Sequence, residues 1–319
     1  MLAGIMPAPT GQAQDRGAVA AALASPDDPA RIRLSFSRID TFRQCPLRFA
    51  YRYVEGLPEP PSPHLSWGSS IHTAIEAMWD DKVDGPPQQQ TLLDALYHGW
   101  DDAGFRDVDR DEKLRWYRRA QQVLGEFHAR HLPGWRPAVA TEQWFAMPLG
   151  ERVELVGSID HVEPTADGGF GVVDWKTSKR ARPRAEVADS LQLAIYCMAA
   201  AHLWGRTPDW VALEYVVPGV RVTVPAGELD LDRAEQLIEQ TAEEMLAADF
   251  PARPGRLCDW CAFRGICPAF DGDGPDVAGE AVVELRRLRR RQQRDAARIS
   301  ELERIVADRL GEEAVEPQG

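Results

Sequence analysis

Residues 157–176 read GSIDHVEPTADGGFGVVDWK. Asp167-Gly168-Gly169 in its middle is a hairpin signal, since tight two-strand turns need the positive φ that Gly supplies. On either side the apolar residues alternate, so Val153–Val162 and Phe170–Trp175 read as strands. This reading puts Asp160 at the end of one strand and Asp174 and Lys176 at the end of its hairpin partner. Alternation places Asp174 and Lys176 on the same face. Two carboxylates at adjacent strand ends make a hard-oxygen site suited to Mg²⁺ or Mn²⁺. A lysine two residues from one ligand can reach a bound water and a phosphate. Taken alone, D-x-K after a strand is what any hairpin with a charged end would also give.

Working outward, Val139–Met147 reads as the preceding strand, with a turn at Leu149–Arg152. Upstream the period becomes helical. Ser37 is a candidate N-cap for a helix presenting Ile39, Phe42, Phe49 and Tyr53, which the Pro-rich stretch Leu57–Pro63 ends. Three more helices are predicted, over Leu65–Lys82, Thr91–Ala103 and Glu112–His131. Downstream, a helix over Val187–Trp204, strands near Trp210–Val217 and Arg221–Val224, and a helix over Leu231–Ala248 complete an α/β core with a mixed sheet. Residues 1–31 are rich in Ala, Pro, Gly and Asp without a period and are predicted to be disordered. The segment 271–319 reads as a linker and a charged helix, Glu280–Leu310, with a broken heptad through Leu285, Leu288, Ile299, Leu302 and Val306.

The 319 residues are 44% hydrophobic with a net charge of −13. Acids crowd Glu76–Asp84, Asp101–Glu112 and Glu228–Asp249. Against them, five of the nine residues 176–184 are Lys or Arg. That run reads either as the basic mouth of an acidic body or as a solvated charged loop. No apolar run is long enough for a membrane span, and the start has no basic n-region, so a cytoplasmic protein is expected. There is no G-x-x-x-x-G-K-[ST] motif, hence no P-loop motor. Five cysteines, an odd number, argue against a disulfide framework. Three of them, Cys258, Cys261 and Cys267, form C-x2-C-x5-C and suggest a metal or iron–sulfur centre.

His72 in GSSIH lies on the second predicted helix and could complete a metal shell, although a lone helical His is usually structural. Gln192 and Tyr196 in LQLAIY lie four apart on one helical face. In this order GSSIH, GSID, VVDWK and LQLAIY resemble the motif series of RecB-like PD-(D/E)xK exonucleases. SFSRIDTFRQCPLRFAYRYVEGL resembles that family's opening helix with its Cys-Pro. The C-x2-C-x5-C before Phe270 resembles the cysteine tail of AddB nuclease domains and CRISPR-associated exonucleases. The resemblance runs from Leu34 to Phe270.

It implies a restriction-endonuclease-like PD-(D/E)xK core, a mixed sheet flanked by helices, with a helical N-terminal insertion and a cysteine-cluster C-terminal segment, over residues 32–270. His72, Asp160, Asp174 and the backbone carbonyl of Trp175 would bind Mg²⁺ or Mn²⁺. Lys176 would be the catalytic lysine, with Gln192 and Tyr196 as an accessory motif and Glu142 as a supporting acid. Cys45, Cys258, Cys261 and Cys267 would ligate a [4Fe-4S] cluster. Spacing alone separates this from zinc in neither direction; the resemblance is what tips it. Cys197 reads as a buried core thiol. The expected activity is phosphodiester hydrolysis, a DNA exonuclease on single strands or ends. Lys179, Arg180, Arg182 and Arg184 would hold the DNA backbone, with Arg48 and Arg52 as possible helpers. A helicase or other repair or defence protein in trans is the partner implied. Two other classes stay open: a non-catalytic DNA-end-binding or scaffolding partner of a helicase or integrase, and a zinc-stapled structural protein.

Overall fold

A computed structural model describes residues 16–79, 85–270 and 279–313. The chain forms two compact units. One comprises residues 25–39 and 60–242; the other comprises 1–24, 40–59 and 243–319. Among the described residues no helix is long and apolar enough to cross a membrane.

The first unit is built on a mixed sheet. Its strands are β1 (Ile32–Leu34), β2 (Ala140–Leu149), β3 (Val153–Pro164), β4 (Phe170–Lys176), β5 (Trp210–Tyr215) and β6 (Val220–Pro225). β2 runs antiparallel to β3 along one edge. The other edge of β3 is shared: β1 pairs in parallel with 153–155, and β4 pairs antiparallel with 161–164. β5 then pairs in parallel with β4, and β6 closes the order. β1 is absent from the sequence reading, because three residues are too short to display a period.

Helices cover the sheet. Pro63–Glu76, Gln89–His98 and Arg110–His131 pack Trp67, Ile71, Ile75, Leu92, Leu96, Val123, Leu124 and Phe127 against Val173 and Trp175 of β4. Each large apolar side chain so buried contributes about 1.5–3 kcal/mol. The first of these helices starts at Pro63, where a proline lacks only an N–H that would be unpaired anyway. Ser62 caps it, accepting from Leu65 N at 3.3 Å. The helix ends before Lys82, which lies outside the described residues. Val187–Trp204, expected as one helix, is two: Arg184–Ala188 and Leu191–Trp204. The break falls at Ser190, whose hydroxyl accepts from Leu193 N. Leu191–Trp204 packs on β2, β4 and β5 and is apolar nearly all round, because residues 193–200 are all buried.

In the second unit the opening helix is also broken. Phe36–Gln44 stops at Cys45, and Pro46–Phe49 begins after it. Proline disfavours helical geometry in the residue before it, and Cys45 is extended, at φ −158° and ψ 108°. The cap is Ser35 rather than Ser37: its hydroxyl accepts from Arg38 N at 3.4 Å. Residues 16–23, within the predicted disordered tail, form a helix with Val19 and Leu23 buried; the alanine-rich stretch hides that short apolar stripe. The rest of that expectation, residues 1–15, and the linker at 271–278 lie outside the described residues. The charged C-terminal helix spans Gly279–Glu313. Its Leu285 packs against a small core of Leu47, Tyr51, Leu57 and Phe263. Leu288, Ile299, Leu302 and Val306 of the heptad are exposed.

Candidate active site

Asp160 is not at the end of β3, as its sequence reading had it. β3 continues to Pro164, and Asp160 sits where β4 parts from it, one residue beyond the last β3–β4 pair, His161 with Val173. The two strands diverge because β4 stays paired with β5 as far as Lys176. The Asp160 carboxylate fills the gap: its Oδ2 accepts from Trp175 N at 2.9 Å. Asp174, one residue beyond the last β4 partner, faces the same break.

Three adjacent strands thus bring acids together. On β2, Glu142 is the residue in register with Asp160, yet the ladder skips this position. Glu142 has φ +47°, a left-handed conformation that costs a non-glycine residue about 1–3 kcal/mol. Ser158 Oγ donates to Glu142 Oε2 at 2.8 Å and holds the side chain in place.

His72 arrives from the helix Pro63–Glu76. Gly68, one turn before it, explains part of the GSSIH pattern: a Cβ there would meet Thr177 Oγ1 at 3.0 Å, so the glycine lets the helix approach the end of β4 closely. His72 Nδ1 lies 3.6 Å from Asp160 Oδ2. Ligand atoms of His72, Glu142 and Asp160 all lie within 4.8 Å of one another. An octahedral ion at about 2.1 Å from its ligands needs neighbours about 3–4 Å apart, so this donor set fits Mg²⁺ or Mn²⁺. Burial lowers the His72 pKa, keeping the ring neutral as a ligand must be. Asp160 is pushed up to about 8, by burial first and then by Asp174. Glu142 is raised by burial and, less, by Asp174. Carboxylates so crowded repel one another, and a divalent cation would relieve that repulsion.

Asp174 belongs to a second, linked set. Gln192 Nε2 donates to Asp174 Oδ1 at 2.7 Å, while Gln192 Oε1 accepts from Lys176 Nζ at 2.8 Å. Lys176 Nζ also lies 2.6 Å from Asp174 Oδ2. Gln192 Nε2 is 3.1 Å from the Tyr196 hydroxyl, the contact expected of residues four apart on a helix. Tyr196 is held well above its usual range by burial and by Asp174 and Asp160, so it stays a neutral phenol. The Trp175 backbone engages both Asp160 and His72.

Glu76 is a residue the sequence reading passed over. It lies one turn beyond His72, half-buried, and its pKa is raised by burial and then by Glu142. The i,i+4 spacing of His72 and Glu76 was the available signal. Lys179, Arg180, Arg182 and Arg184 are exposed, and Arg184 is paired with Glu228 at 2.7 Å.

In the second unit Cys45, Cys258, Cys261 and Cys267 line one cavity of about 270 Å³. All four are free thiols. Gly255 N donates to Cys258 Sγ at 3.3 Å. Burial raises Cys261 and Cys267, and backbone N–H groups of Phe263 and Ala269 respectively pull them back down. Arg48 and Arg52, suggested as backbone contacts, both pair with Glu59, at 2.6 and 2.9 Å. Cys197 is fully buried and its thiol is pushed up to about 11 by that burial.

The family profile of the PD-(D/E)XK nuclease superfamily matches residues 33–268. A subunit of the ATP-dependent helicase/deoxyribonuclease of Streptococcus mutans is 27% identical over 155 residues, 46% of this chain and 14% of that protein. This chain therefore spans only a small part of the length of such helicase/deoxyribonuclease proteins. The Gene 69 protein of Mycobacterium phage D29 is 24% identical over 269 residues, 74% of this chain and 96% of the phage protein. The crystal structure of SSO0001 aligns with 63% of this chain and 84% of its own, at 18% identity and a TM-score of 0.32. With a superfamily profile covering most of its length and the mixed, helix-flanked sheet that carries the acids and lysine, the chain belongs to the PD-(D/E)XK nuclease superfamily.

Proposed function

We propose that this protein is a metal-dependent DNA exonuclease acting on single strands or DNA ends, in repair, recombination or defence. One observation carries the reading: Asp174, Lys176, Gln192 and Tyr196 form one hydrogen-bonded set, and Asp160, with His72 and Glu142 beside it, stands at the same break and accepts from Trp175 N, the residue between Asp174 and Lys176. A purely structural hairpin end would not collect three acids around one break in a sheet. His72, Glu142, Asp160 and Asp174, with the Trp175 carbonyl, are the groups that would hold Mg²⁺ or Mn²⁺. Such an ion supplies an activated water and charge neutralisation at a phosphate.

The chain's own residues do the rest. Gln192 fixes the Lys176 ammonium beside Asp174, so the cation is positioned before substrate arrives and can meet charge developing on the phosphate oxygens. Tyr196 backs Gln192 and fixes which end of the amide faces Lys176. The exposed run Lys179, Arg180, Arg182 and Arg184 suits sequence-independent backbone contacts. The similarity to helicase/deoxyribonuclease proteins supports DNA as substrate and a helicase as a partner in trans.

The cysteine cavity fits a [4Fe-4S] cluster held by Cys45, Cys258, Cys261 and Cys267. Cys258, Cys261 and Cys267 accept backbone N–H groups, as cluster thiolates do, and the family resemblance favours a cluster over zinc. The cluster would serve structurally, tying Cys45 to a segment more than 200 residues away. Anaerobically purified protein should absorb broadly near ~400 nm with about four iron atoms. Stoichiometric zinc without iron would overturn the cluster.

Digestion of end-labelled single- and double-stranded DNA with Mn²⁺ tests the activity, with wild type beside Asp174→Ala. Cutting from the ends by wild type, lost in Asp174→Ala, is the expected result. Equal cutting by both would remove these residues from the chemistry.

A further inference from the structure

Ten tryptophans occur in the chain, and eight are buried or half-buried. Trp144 and Trp260 are not. Trp260 lies in the cysteine segment. Trp144 is different. It lies on β2, 57% exposed, two residues from Glu142. Its cross-strand partner on β3 is Ser158. Directly opposed residues project to the same face, with Cβ atoms about 4.5–5.5 Å apart. Ser158 in turn donates to the Glu142 carboxylate, whose oxygen groups with His72 and Asp160. The indole therefore emerges on the face where the Glu142 carboxylate sits, beside the metal-ligating group and within the span of one nucleotide.

Packing does not account for it. The other outward residues of this part of β2 are Ala146 and Pro148, both small and exposed, so no large side chain of this strand covers the indole. A broad apolar ring standing alone next to a phosphate-directed site suits a flat aromatic ligand joined to that phosphate. A nucleobase is such a ligand, and stacking accepts any base because every base has a π-face.

We propose that Trp144 stacks on an unpaired base of the strand whose phosphate lies at the carboxylate site. It is a positioning residue, and the proposal rests on the nuclease reading above. It makes the site a reader of single-stranded or frayed ends, since a base within a duplex is stacked on its neighbours.

Binding of a short labelled single strand is measured in Ca²⁺, with the complete strand and with versions carrying one abasic site scanned along the length. For wild type, one abasic position should weaken binding roughly tenfold, about 1.4 kcal/mol. Trp144→Ala should bind the complete strand about tenfold more weakly and be indifferent to that abasic position. Trp144→Phe should restore most of the affinity, which a merely misfolded site would not. In cutting assays the loss should fall on KM more than on kcat. Equal sensitivity of wild type and Trp144→Ala to the same abasic position, or unchanged affinity in Trp144→Ala, would overturn the proposal. Mn²⁺-dependent cutting by wild type is scored separately. Cutting without the abasic coupling sinks the stacking alone; coupling without cutting sinks the nuclease reading and keeps the stacking.

Discussion

Gln192 uses both ends of one amide, accepting from Lys176 and donating to Asp174. That arrangement separates the roles of neighbours only two residues apart. On the proposed reading, Asp174→Ala removes a charged metal ligand and should abolish cutting. Lys176→Ala removes a cation that is no ligand, so it should keep divalent-ion binding while slowing cutting by roughly 10²–10³-fold. Gln192→Ala leaves both charges and the Lys176–Asp174 ion pair but removes the amide that orients it, and a supporting contact of this kind is worth about 10–100-fold. Single-turnover cleavage at saturating protein, beside calorimetric Mn²⁺ binding, distinguishes the three. Lys176→Ala cutting at the wild-type rate would show that the ammonium plays no part. The nearness of Asp174 to Lys176 and of Gln192 to Tyr196 was legible because each pair lies in a short local pattern, whereas a part for His72 came only with the family resemblance. Glu142 was only half legible: its part depends on a left-handed backbone and a serine on another strand, neither of which has a sequence period.

Among the elements, the exposed loop from Lys179 to Arg184 and the C-terminal helix carry separable expectations. Arg180→Gln with Arg182→Gln should weaken DNA binding and lower the slope of log K against log salt by about 0.7 per lost contact on single strands. Arg184 already pairs with Glu228, so its substitution should change the slope less. An unchanged slope in the double variant would return the run to a solvated loop. The helix Gly279–Glu313 touches the cysteine unit through Leu285, and Arg289 donates to the Glu55 carbonyl at 3.3 Å. Deleting residues 271–319 uncovers part of the small core around Leu47 and Tyr51, and should cost about 1–2 kcal/mol there. Iron should then leave faster under a chelator, while cutting by the iron-loaded protein stays within about twofold. Complete loss of cutting by such a truncation would give this helix a catalytic role.

At the scale of the whole molecule, acid and metal should pull stability in opposite senses. Glu214 would be raised by burial, but hydrogen bonds and charges from His131 and Arg221 hold it down to about 2. Burial, then Arg221, push His161 down to about 3; it packs against the rings of both Trp79 and Trp175. Both groups bind fewer protons folded than unfolded. Their contribution is intact at neutral pH and is lost as pH falls, from about 6.5 for His161 and 4.5 for Glu214. Asp160 has the reverse sign. With its pKa raised to about 8, the folded chain without metal loses stability as pH rises from 3.8 to about 8. Thermal unfolding should therefore show a stability maximum on the acid side of neutrality, and Mn²⁺ should raise Tm more at pH 8 than at pH 6. An equal shift at both pH values would show that Asp160 does not bind the ion.

By itself the sequence determined the α/β class, the order of the principal strands, the hairpin that carries Asp160, Asp174 and Lys176, the Gln192–Tyr196 pair and the Cys258–Cys261–Cys267 spacing. These are local: they follow from a period of two or 3.6 and from spacings within a few residues. Tertiary structure decided the rest. It set β1 against the start of β3, moved Asp160 from a strand end to a strand divergence, brought Glu142 beside His72 and Glu76, drew Cys45 and the C-terminal cysteines to one cavity, and paired Arg48 and Arg52 with Glu59. The reason is physical: where two paired strands separate, or a salt bridge closes, depends on which distant segments compete for the same backbone and charge, and no local pattern records that competition.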